Sequence, residues 1–183
     1  MALPLLRNKQ SVLLIANECS ASGTAAEVQN FRWVRTISDQ KPVILLLPSA
    51  LRQASLSRCL PDVKIVYLGT ESCSGDPQSF TQSARGWIRE QMLLGQEFTV
   101  AHHLTEDICG QPSPLIGLGI PYVLGPVSRF SNKQSLIRDK VKDDLEQLHN
   151  SPLILSSLQQ AGAILAADKQ TNRLLEHCGL SSV

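Results

Sequence analysis

Apolar residues fall along this chain in short unbroken runs, separated by segments in which they recur every three or four positions. An unbroken run bounded by polar or turn-forming residues marks a strand covered on both faces, and the three-to-four spacing marks an amphipathic helix. The runs lie at residues 12–16, 42–47, 63–68, 98–101, 120–124 and 163–167, and each is read as a strand. Thr24-Ala25-Ala26-Glu27 forms a capping box that opens a helix to about Ser38. Ser49 is placed to cap a helix carrying Leu51, Leu56 and Leu60, which Pro61 ends. Asp76-Pro77 is a cap followed by proline at the first helical position, and Phe80, Ala84, Trp87, Ile88 and Gln91 continue at helical spacing.

Past the fourth run, Ser113-Pro114-Leu115-Ile116 predicts one or two helical turns ending at Gly119. Leu136, Val141, Leu145 and Leu148 lie near one face of a charged helix over about 132–149. Ser151-Pro152 starts a further helix that Gly162 ends, and residues 171–177 form a last helix closed by Gly179. Strand and helix thus alternate along the whole chain. That alternation predicts an α/β fold, a Rossmann-like doubly wound domain over residues 1–183. Its mostly parallel sheet of about six or seven strands has helices on both faces.

Composition narrows the partners more than the fold. Seventeen basic and sixteen acidic residues give a net charge of +1, so no basic face is expected for nucleic acid. The five cysteines, Cys19, Cys59, Cys73, Cys109 and Cys178, include no Cys-x-x-Cys pair and read as reduced structural thiols of a cytoplasmic protein. No metal site is expected from them. At the amino terminus Arg7 and Lys9 follow the first apolar run instead of preceding it, which argues against a signal peptide. In the 132–149 helix Arg138, Lys140 and Lys142 are offset by Asp139, Asp143, Asp144 and Glu146, so a solvated face is expected and membrane contact has no support from charge.

Candidate chemistry gathers where the runs end. In an open parallel sheet the carboxyl ends of the strands share one edge, which would bring His102, His103, Thr105, Gly125, Pro126, Ser128 and Arg129 together. The loop 17–24, containing Gly23, joins the same edge and leads into the first helix, whose amino end can hold an anion. Neither the dinucleotide fingerprint nor the P-loop is present there, and a plain strand-to-helix turn is the alternative. An imidazole can accept a proton from a sugar hydroxyl or donate to it. Adjacent histidines in a strand point to opposite faces, so His102 and His103 cannot readily share a metal ion. Gly125-Pro126 fixes a turn, and the planar fork of Arg129 suits an anionic group. Glu106 and Asp107 read as a solvated loop, and no nucleophile motif occurs.

Three segments, AHHLTED, GQPSPLIGLGIPYVLGPV and SPLILSSLQQAGAILAADKQTNRLLEHCG, follow the Ser-Gly-containing first loop in an order that resembles the N-terminal domain of family-4 glycosyltransferases of GT-B architecture. The resemblance spans nearly the whole chain, and residues 119–127 carry its most specific motif. It implies a retaining, hexosyltransferase-like enzyme of carbohydrate biosynthesis. A nucleotide-sugar donor would be its co-substrate, with no tightly bound cofactor and no metal. It implies that this domain binds the sugar acceptor while a missing C-terminal domain holds the donor, the chain being a truncated domain or a separately encoded half that is inactive alone. Gly23 then matches the first glycine loop, His102, with His103 as second choice, the histidine that contacts sugar, and Gly125-Pro126 the turn after the fifth strand. Ser128-Arg129 departs from the usual Gly-Gly pair, adding a positive charge that an anionic acceptor group would meet. The alternative is a stand-alone Rossmann-like module that binds a nucleotide or a protein without catalysis.

Overall fold

A computed structural model describes residues 10–51, 54–69, 77–105, 107, 110–128, 146, 148 and 150–183. Six strands form one sheet in which every pair is parallel: β1 (Ser11–Ala16), β2 (Val43–Pro48), β3 (Val63–Leu68), β4 (Phe98–Leu104), β5 (Tyr122–Val127) and β6 (Ala163–Ala166). Their order across the sheet is β3-β2-β1-β4-β5-β6. Between them run α1 (Ala25–Ser38), a single 3-10 turn (Ser49–Leu51), α2 (Ala54–Cys59), α3 (Pro77–Leu93) and α4 (Pro152–Gln160), and α5 (Lys169–His177) follows β6. The fold is α/β and Rossmann-like, as the alternation of runs and periodic segments predicts.

Two apolar cores lie on the two faces of the sheet. Side chains alternate across a strand, so Leu13 and Ile15 of β1 join Ile44, Leu46, Phe80, Ile88, Leu124 and Leu158 on one face. Val12 and Leu14 join Val34, Leu45, Leu47, Leu56 and Leu104 on the other. The strands at the centre must be apolar on both sides, and β1 is buried along its whole length. The first core is the larger and also takes Leu148, together with Leu174 and Leu175 of α5. Among the described residues no helix is long and apolar enough to cross a membrane.

Local chemistry accounts for the helix ends. The capping box at α1 is formed, with Thr24 Oγ1 accepting from Glu27 N at 3.2 Å and the Glu27 carboxylate accepting from Thr24 N at 2.7 Å. Pro152 sits in the first turn of α4. α5 begins at Lys169, two residues earlier than its apolar spacing suggests. Its cap is Asp168, whose Oδ1 accepts from the amides of Gln170 and Thr171 at 2.8 Å each.

Four predictions need correction, the first being the helix expected from Ser49: Ser49–Leu51 form a 3-10 turn, the Ser49 hydroxyl donates to Gly69 O at 3.0 Å, and α2 begins only at Ala54. β4 does not stop at Ala101: it pairs with β1 until Leu104 meets Ala16, so both histidines lie inside the strand. The polar imidazoles suggested a border, but the central ladder beside β1 outweighs them. β5 is shifted from 120–124 to Tyr122–Val127, so Gly125 and Pro126 belong to the strand and not to a turn after it. Proline has no N–H to give a ladder, and the pairing with β6 shifts register between Leu124 and Val127 to pass it. Finally, residues 114–117 form tight turns and no helix, with Leu118 N donating to Leu115 O at 3.1 Å. The cap expected at Asp76 and nearly all of the 132–149 helix lie outside the described residues.

Candidate binding site at the sheet switch point

The chain order runs outward from β1 through β2 to β3, then crosses back to lay β4 on the other side of β1. Connections leaving the carboxyl ends of β1 and β4 therefore diverge, and open parallel sheets bind ligands in the crevice that results. The loop 17–24 leaves β1 at this edge. It is tied down by the buried Asn30, whose Nδ2 donates to Glu18 O at 2.9 Å, and by Ser20 N donating to Glu27 O at 3.2 Å. Cys19 packs into the core beneath, and burial, with the nearby Glu27 charge, pushes its thiol up to about 12. It is therefore a structural thiol and not a nucleophile. Cys59 and Cys178 are also free thiols, the first exposed and the second half-buried.

Gly23 lies at the head of α1 with φ +150°, and a Cβ there would run into the Glu27 carboxylate. Since that carboxylate takes the Thr24 amide, the helix end already holds an anion supplied by the chain itself. A phosphate arriving at this loop would meet a like charge.

Beside β1 at the same edge end β4 and β5. His102 faces α1, where its ring meets Trp33 edge-on at 5.4 Å between centroids. Its Nε2 lies 2.7 Å from Gly125 O. A carbonyl only accepts, so Nε2 carries the proton and Nδ1 remains as the ring's acceptor. Burial lowers the pKa of His102, and the bond to Gly125 opposes that only in part. His103 points to the other face, only 3% exposed, and its Nδ1 has no hydrogen-bond partner among the described residues. Burial, then the neighbouring His102, brings its pKa down to about 4. Both imidazoles are neutral near pH 7.

The carbonyl that receives His102 belongs to a bulge with a cis Gly125-Pro126 peptide bond. Gly125 has φ +112°, and a Cβ would lie 2.5 Å from Leu165 O and 2.7 Å from Val127 N. Only glycine fits there. Beyond the strand ends, Thr105 is half-buried, and Asp107 forms a parallel bridge with Ser128, so the segments leaving β4 and β5 stay side by side.

The structure thus joins His102, Gly125 and Pro126 directly and carries Thr105 and Ser128 at the same edge, with Gly23 on the connection from β1. His103 stands apart on the opposite face, and Arg129 lies outside the described residues. Sequence reasoning missed Trp33 and Asn30. Trp33 reads as one more position of a helix, and nothing in the spacing shows that it meets a histidine of β4. Among the described residues no group of three or more His, Cys, Asp or Glu gathers as for a metal ion. With the neutral imidazole of His102, backbone carbonyls and hydroxyls, the edge can donate to and accept from an uncharged ligand. A scan against protein-family models gives no match, and no curated protein matches the chain.

Proposed function

We propose that this domain is the acceptor-binding half of a nucleotide-sugar-dependent, retaining glycosyltransferase of the GT-B kind. The observation that carries the reading is the junction of His102 with the bulged end of β5 at the switch point. The two segments that resemble the family most, AHHLTED and GIPYVLGPV, are distant in sequence, yet one hydrogen bond joins them. A neutral imidazole fixed in one tautomer offers its second nitrogen to a hydroxyl, which is what a sugar presents.

Glu27 supports assigning the donor to another domain. Its carboxylate caps α1 and leaves the first loop poorly suited to a diphosphate, which speaks against the nucleotide form of the alternative, a stand-alone module that binds a nucleotide or a protein. Titrating the 15N-labelled chain with uridine and guanosine diphosphates separates the two. The transferase reading expects no shift of the Gly23 and Thr24 amides; saturable shifts there at micromolar nucleotide would favour the nucleotide module.

A further inference from the structure

A concavity of about 510 Å³ lies between the start of α3, residues 110–112 and the start of α4, the helices that cover the face of the sheet opposite to α1. Both helices begin at the carboxyl edge, since each leads back to the amino end of the next strand. Gln78, Thr81, Gln82 and Gln111 supply its polar side. Pro112, Pro152 and Leu153 supply an apolar side, and Leu153 is 63% exposed. None of the described residues that line it carries a charge. The amides of Gln82 and Gln111 make no hydrogen bond to other described residues, so their donors and acceptors are available to a ligand.

The walls are held by bonds that lie behind the lining. Arg85 of α3 donates to Pro114 O at 3.2 Å and to Ile116 O at 2.6 Å, clamping the 110–118 segment to one helix. From the other helix the buried Ser157 accepts from Ser113 N at 2.9 Å, and Gln160 Oε1 accepts from Gly117 N at 2.9 Å. Tyr122 of β5 donates to Ser157 O at 2.6 Å and fixes α4 to the sheet. The cleft is therefore formed before any ligand arrives, which lowers the ordering cost of binding.

We propose that this cleft is a binding site for a neutral saccharide of one or two rings. A primary amide presents two donors and an acceptor, which suits neighbouring hydroxyls, while proline and leucine suit the C–H faces of a sugar ring. An anionic ligand would bring a charge for which the described lining holds no cation. The volume falls in the range of small-molecule sites. This assignment stands on the lining and goes beyond the transferase reading: saccharide binding here, with no transfer by the longest protein in which the chain occurs, refutes that reading and leaves this one.

The test is a titration of the 15N-labelled chain with methyl glucoside, methyl galactoside, methyl mannoside, N-acetylglucosamine, maltose and lactose to about 50 mM, above the millimolar range of weak complexes. Saturable shifts of the Gln82, Gly110, Gln111 and Leu153 amides are expected with at least one of them. Gln82→Ala and Gln111→Ala should each weaken that saccharide by about fivefold, the loss of one hydrogen bond. Both side chains lie outside the core, and unchanged spectra elsewhere will show that the variants fold. Leu153→Asp should weaken it as well. The proposal is overturned by no saccharide shifting these amides, by binding that all three variants leave intact, or by shifts from inorganic phosphate alone.

Discussion

His103 is the residue whose burial has the clearest measurable consequence. It is neutral in the folded protein down to about pH 4, whereas an unfolded histidine takes its proton near 6.5. Between those values the unfolded chain holds the extra proton, so stability rises with pH across the window and is lost as pH falls from 6.5 toward 4. The total is on the order of 3 kcal/mol, with His102 adding in the same direction. Urea denaturation at pH 7.5, 6 and 5 should show that slope, and His103→Leu should flatten it markedly. An equal slope in the variant would mean that the imidazole is not buried as described. The sequence alone gave two histidines at a strand end with opposite faces. The opposite faces follow from the strand period of two, but burial depends on how far β4 runs beside β1, and no local signal states that.

At the scale of elements, the helix starts were legible where a cap is chemically specific. Thr24 and Glu27 announce α1, and the reciprocal bonds are present. Thr24→Ala should cost about 1 kcal/mol in the same denaturation experiment, as loss of an N-cap hydroxyl does. No change would show that Glu27 alone holds the helix end. Legibility failed where proline and glycine carry two meanings. Gly125-Pro126 has the composition of a turn, yet a bulge takes both residues into β5 because the β6 ladder resumes at Val127 with Ala166. Ser113-Pro114 has the composition of a helix start, yet the segment becomes a set of turns held from outside by Arg85, Ser157 and Gln160. Those partners lie 28 or more positions away in sequence from Ser113, Pro114, Ile116 and Gly117, beyond the reach of any local pattern.

For the whole molecule, alternating buried runs and amphipathic segments were enough to give a parallel sheet with helices on both faces. The order β3-β2-β1-β4-β5-β6 then places the crevice between β1 and β4. That the ends of β4 and β5 meet at one edge was legible because parallel strands end together, but that His103 is buried on the other face was not. The His102 bond to Gly125 was not, because it depends on the bulge, and the cleft behind α3 and α4 was not, because its polar lining reads as ordinary surface. The central claim is that this domain recognises a sugar acceptor and needs a donor-binding half for catalysis. It is tested most directly by a transfer assay with labelled nucleotide sugars, run on the 183-residue chain and on the longest protein in which the chain occurs. The account predicts no turnover by the chain alone, and transfer with retained anomeric configuration by the longer protein that His102→Ala greatly reduces. Turnover by the chain alone, or none by the longer protein with any nucleotide sugar, would contradict it.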